Sequence, residues 1–230
     1  VHLEQARHLL HQCAGALEMI EQRAPAHMLR AMEAAVQRLA EQPALCNEDA
    51  VAKVERASFA VADYLDAVLA GKPASPVGLF PQYRDVQTLA GSERIHPADL
   101  WNVAWDWRLP AQPSTAVPLP YAPPVRSRLD QAVLRTVKAG DPQAARELQQ
   151  LSLGLAAGAG QASQRAFWSI AGAYFQALSL GLVPSDLYAK RIASRLLTQY
   201  ASLARGDALP SDRLAQDMLF LLAQGVPLLP

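Results

Sequence analysis

Cysteine is almost missing from this sequence: Cys13 and Cys46 are the only two among 230 residues. Neither sits in a CxxC pair or at metal-ligand spacing from a histidine, which excludes a disulfide scaffold and fits a reducing compartment. An excess of either charge is also lacking, with 21 basic residues against 21 acidic ones. Proteins that bind nucleic acid or anionic membranes draw their affinity from surplus lysine and arginine, so those partners are not expected. Aromatic residues make up 7% of the chain. No run rich in Val, Ile and Thr alternates apolar with polar, so no sheet is expected.

Signatures of chemistry are equally scarce. There is no GxxxxGK[ST], HExxH or GxSxG, and Gly158 and Gly160 are followed by Ser163 where a dinucleotide fingerprint needs glycine. No cofactor and no metal is expected. No basic-then-apolar leader opens the sequence, and its start at Val1 reads as a piece of a longer protein. One charge-free stretch, residues 166–185, has the length of a bilayer span. Ser169, Gln176 and Ser179 interrupt it and Pro184 sits near its end, so it reads as the central helix of a bundle.

What is abundant is alanine, leucine and glutamine, the residues of helices. An all-α protein is predicted. Three helices are expected within residues 1–71, with apolar seams along Leu3, Ala6, Leu10, Cys13, Leu17 and Ile20, along Leu29, Met32, Val36 and Leu39, and along Val51, Val54, Ser58, Val61, Leu65 and Val68. Such narrow seams belong to antiparallel bundles. Three helices leave a bundle incomplete, to be filled by another segment or by a second copy of the chain in a homodimer. Residues 72–124 hold ten prolines and are predicted as a linker with short helices, one over 81–89 and one opened by Pro97 and running through Trp101 and Trp105. Those two tryptophans, four residues apart, form a candidate interaction surface. Residues 125–230 are predicted as a second all-α domain of five helices. Their punctuation is Gly140, Asp141 with Pro142, Gly158 with Gly160, Ser185, Gly206 and Ser211.

One constellation carries possible chemistry. His11 stands four residues before Gly15, in Leu10-His11-Gln12-Cys13-Ala14-Gly15-Ala16-Leu17, just off the seam of the first helix. A histidine that accepts a phosphoryl group from a partner's aspartyl phosphate must be reachable, so its neighbours one turn on must be small. Ala14 and Gly15 meet that need, and glycine inside a helix costs ~1 kcal/mol against alanine. Arg7, one turn earlier, could steady the phosphoryl group. The competing explanation is a boundary histidine beside a glycine that serves close helix packing.

The pattern His11-Gln12-Cys13-Ala14-Gly15 resembles the H-x-x-K-G motif of histidine phosphotransfer (HPt) modules, with Ala14 in place of the lysine. With Met32-Glu33, Tyr64-Leu65, the stretch LFPQYRDVQTLAGSERIHPADLW and the closing RLAQDMLFLLAQG, the sequence resembles the N-terminal region of ChpA/PilL-type hybrid histidine kinases of type IV pilus chemosensory systems. It is similar in the same way to the scaffold protein FimL. The resemblance implies a cytoplasmic, HPt-like helical bundle followed by a second helical domain. It further implies a non-catalytic scaffold or docking region of a two-component kinase controlling twitching motility. Partners would be receiver domains or polar scaffold proteins of the pilus system. With no ATP-binding domain present, the chain is not expected to phosphorylate itself. Two alternatives stand beside this reading: an active phosphotransfer module with His11 as acceptor, and a free-standing helical adaptor.

Overall fold

The computed structural model describes residues 2–101, 106–107 and 115–224. Among them no strand occurs, and the chain divides into two compact units, Val1–Val103 and Ala104–Pro230.

The first unit contains α1 (His2–Met19), α2 (Arg23–Glu41), α3 (Glu48–Leu69) and α4 (Phe80–Leu89). Local chemistry sets the ends. Asn47 accepts a hydrogen bond from the Ala50 N–H at 2.9 Å and so caps α3, while Glu48 and Asp49 place negative charge in its first turn. The core is built around α2, where Met28, Met32, Ala31 and Ala35 pack with Ala14 of α1, Ala57 and Val61 of α3, and Tyr83 and Val86 of α4. Thus part of the proline-rich segment is core: Leu79, Tyr83, Val86 and Leu100 are all buried there. The prolines serve as starts of short turns, at Pro76–Leu79 and Pro97–Leu100, where a missing N–H costs nothing.

Two expected seams are out of phase. On α1 the buried residue is Ala14, flanked by half-buried Leu10 and Leu17, whereas Cys13 and Ile20 are exposed. On α3 the buried residues are Ala50, Ala57 and Val61, and Val51, Ser58 and Val68 face water. Alanines form the closest helix contacts because they let backbones approach, and the larger residues beside them are pushed off the line of contact.

The second unit contains α5 (Pro123–Ala139), α6 (Pro142–Gly158), α7 (Ala162–Ser179), α8 (Leu187–Ala204) and α9 (Asp212–Gln224). Between α5 and α6, Gly140 takes the left-handed conformation (φ 60°), Asp141 caps by accepting from the Gln143 N–H at 2.8 Å, and Pro142 starts the helix. Asp186, not Ser185, caps α8, accepting from the N–H groups of Tyr188 and Ala189. Ser211 caps α9 by accepting from the Leu214 N–H.

α7 is the central helix, with Phe167, Trp168, Tyr174 and Phe175 fully buried. Among the described residues no helix is long and apolar enough to cross a membrane. An extended arm precedes α5. The Leu119 N–H donates to the Gly154 carbonyl at 2.9 Å, and the arm lies so close to α6 that a Cβ on Gly154 would meet the Leu119 side chain at 2.6 Å. A Cβ on Gly158 would strike the Leu119 carbonyl oxygen. The arm is then pinned: Trp168 Nε1 donates to the Tyr121 hydroxyl at 2.8 Å, and the Tyr200 hydroxyl donates to the Ala122 carbonyl at 3.1 Å.

Candidate functional site

α1 and α2 form an antiparallel pair, and the polar residues of their shared edge converge on Arg30. Its guanidinium grips Glu18 of α1 with two parallel bonds of 2.9 Å, Nε to Oε1 and Nη2 to Oε2. Nη1 donates to Glu33 Oε2 at 3.0 Å. His11 joins from α1, its Nδ1 2.9 Å from Glu33 Oε1 and 2.8 Å from Arg30 Nη1. Its side chain is 60% exposed, so a partner can reach the ring.

One ring nitrogen thus faces an acceptor and a donor together. Nδ1 can donate to Glu33 only when protonated and accept from Arg30 only when bare. The first state leaves Nε2 basic, and the second puts the proton on Nε2. Nε2 meets no hydrogen-bond partner among the described residues.

Electrostatics works against an incoming anion. Glu18 is held below the usual carboxylate range by its hydrogen bonds from Arg30. Partial burial pushes the Glu33 carboxyl up, but hydrogen bonds from Arg30 and His11 together outweigh it, and the group stays below its ordinary value. The Arg30 guanidinium is pushed up by the same two carboxylates. Two carboxylates and one guanidinium leave the cluster at −1 when His11 is neutral. A phosphoryl group on Nε2 would add negative charge beside it, with Arg30 already committed.

The residues singled out from sequence fall as follows. His11 is accessible. Gly15 has open space where a side chain would stand, so it serves neither helix packing nor a contact. Ala14 is fully buried and belongs to the core. Arg7 pairs with Glu4 on its own helix at 3.1 Å, and the cation beside His11 is Arg30. Glu18 stands on the His11 flank of α1 by helical spacing alone, whereas Arg30 and Glu33 of α2 carry no sequence signal that ties them to His11. Trp101 does not continue a helix: the turn Pro97–Leu100 ends there in extended backbone (φ −78°, ψ 113°). Asp99 holds that turn by accepting from the His96 N–H and the Tyr83 hydroxyl, each at 3.2 Å, and His27 Nδ1 donates to the Asp99 carbonyl at 3.0 Å. Leu100 is thereby fixed in the core and the chain leaves the helical path. Trp105 lies outside the described residues. Among the described residues, no three His, Cys, Asp or Glu side chains gather as metal ligands would.

No curated protein and no solved structure matches the chain. A family model does. Residues 114–227, which take in the arm and α5 to α9, match the model described as FimL scaffold protein second domain. The match makes this part of the chain, just under half of its length, similar to the second domain of the FimL scaffold proteins.

Proposed function

We propose that this chain is a non-catalytic scaffold region that binds other proteins, in a two-component chemosensory system controlling type IV pili and twitching motility. The observation that carries the reading is the match of residues 114–227 to the second domain of a scaffold protein. The resemblance of the N-terminal residues to the pilus chemosensory kinases supplies the system, and a cytoplasmic location goes with it. The HPt-like character of residues 1–71 is part of the proposal: a relic of a phosphotransfer bundle whose helices now serve docking. The state of the His11 edge supports this. Its arginine is neutralised by two glutamates, and the lysine of the motif is replaced by core residue Ala14.

One observation favours the second reading, an active phosphotransfer module: His11 is exposed with Nε2 turned away from its partners. Incubation with a phosphorylated receiver domain of the same pilus system separates the two. The scaffold reading expects no acid-labile, base-stable label on the chain beside a positive control from a working HPt domain. Label that appears and is lost in His11→Gln overturns it. In cells, His11→Gln is expected to leave twitching unchanged at equal protein level.

A further inference from the structure

A groove of about 760 Å³ runs over the outer face of α6 in the second unit. The arm walls one side with Thr115, Val117 and Leu119, and α7 walls the other with Arg165, Ser169 and Gln176. Small residues make its floor, Ala156 and Ala157 from α6 and Gly172 and Ala173 from α7. Ala173, Gln150 and Gln176 are exposed, so the groove lacks the enclosure that buries most of a small metabolite. An extended chain suits such an open course. The small floor leaves room for its side chains, and the glutamine amides on the rim can donate to and accept from its backbone.

Charge selects the kind of chain. Arg128 of α5 and Arg165 of α7 both line the groove, and no Asp or Glu lines it among the described residues. Arg128 donates to Glu147, early in α6, at 3.2 Å. Arg165 Nη1 donates to the carbonyls of Ala159 and Gly160, where α6 ends, at 3.0 and 2.9 Å. Between Glu147 and Ala159 the helix axis rises about 18 Å, the span of about five or six residues of extended chain. The two arginines are not equivalent. Arg128 already has a carboxylate, whereas Arg165 has only carbonyls, and its Nε and Nη2 meet no hydrogen-bond partner among the described residues. Those are the two atoms with which Arg30 grips Glu18, and a carboxylate arriving side-on would complete Arg165 in the same way. The surroundings favour it as well. The second unit carries twelve basic and eight acidic residues over 104–230, a net +4, against nine and thirteen over 1–103, a net −4.

We propose that the groove over α6 docks an extended segment of a partner protein, about five or six residues long, with an Asp or Glu seated on Arg165. The proposal rests on the scaffold reading, to which it adds a docking surface and the chemistry of what docks there.

Selection of phage-displayed hexapeptides on the whole chain tests it, with an Ala173→Trp variant as the counter-target. Ala173 is exposed, so the indole fills the groove without entering the core, and circular dichroism checks that both variants stay folded. The hexapeptides selected are expected to carry Asp or Glu near one end. Their affinity, read by fluorescence anisotropy, should fall roughly tenfold in Arg165→Gln and be lost in Ala173→Trp. Arg165→Lys keeps the charge without the fork and should recover only part of the loss. Selection of no hexapeptide above the Ala173→Trp background overturns the proposal. So do hexapeptides that lack an acidic residue or ignore Arg165→Gln. Succinate displacing them at equal affinity also overturns it, in favour of a site for small carboxylates. No step of this test uses a pilus component, and phosphoryl transfer to His11 is read separately, so the groove and the scaffold reading fail independently.

Discussion

The two units solve the problem of an all-α core in opposite ways. The first is lined by alanine and methionine, with Tyr83 its one buried aromatic among the described residues, and it carries net −4. The second is filled by Phe167, Trp168, Tyr174, Phe175 and Tyr200 and has twelve basic residues against eight acidic ones over 104–230, a net +4. Alanine-lined helices pack closely but bury little area each, so much of their apolar surface stays outside: Leu9, Met19, Ile20, Phe59 and Leu69 are all exposed. Interlocked rings bury large areas in specific geometries, such as the edge-on pairs Phe167–Trp168 at 5.1 Å and Tyr121–Tyr200 at 5.2 Å. The lesson is a division of labour. The second unit has the means to hold itself in one shape, and the first has apolar surface left over for partners.

Removing the largest ring should break the contrast most visibly. Trp168→Ala leaves a cavity and removes the donor to the Tyr121 hydroxyl, at an expected cost of about 3–5 kcal/mol. Hydrogen exchange should show that loss across α5 to α9, with the amides of α1 to α4 unaltered. Unchanged protection in α5 to α9 would refute the account of the aromatic core.

A single kind of substitution, glycine to alanine, should have opposite signs in the two units. In Gly158→Ala the new methyl meets the backbone of the arm, and displacement of Leu119 is expected to cost about 1–3 kcal/mol. In Gly15→Ala the methyl meets open space within a helix, and a gain of about 0.5–1 kcal/mol is expected. Urea melts of both variants read this directly, and a destabilised Gly15→Ala would mean that α1 is more closely covered than its exposure indicates.

The smallest effect is acid loosening of the α1–α2 edge. Glu33 is held below its ordinary pKa in the folded chain, so its contribution is complete above the unfolded value and is lost as pH falls through the folded one. Amides of α1 should therefore lose protection toward acid pH, and Glu33→Gln should flatten that dependence. A pH profile unchanged by Glu33→Gln would assign the loosening to another group.

Much of the fold was legible because helix punctuation is local. Asn47, Gly140 with Asp141 and Pro142, and Ser211 act within a few residues of where they stand, so their chemistry can be read without knowing the tertiary structure. The phases of α1 and α3 were not legible, because Ala14, Ala50 and Ala57 mark the contact line by being small, and hydropathy rewards the large. Nor was the place of α4, since prolines that open turns and prolines that thread a linker look alike in sequence. At the candidate site His11 was visible through its spacing to Gly15. Its partners were not: Arg30 is 19 residues away and Glu33 is 22, and only the α1–α2 pairing brings them to the ring.

The arm before α5 also governs the order in which the second unit can form. On the ribosome Tyr121 emerges well before Trp168, 47 residues later, and Ala122 waits 78 residues for Tyr200. Such distant pairings impose loop closure before they stabilise anything, and they slow folding. The furrow that Gly154 and Gly158 leave along α6 needs only Leu119 to fill it, and so can close first. Synthesis interrupted before α8 would release a chain whose arm lacks its last anchor, the Tyr200 bond to Ala122, and the completeness of the unit is thus recorded at its beginning, by whether the arm is fully pinned.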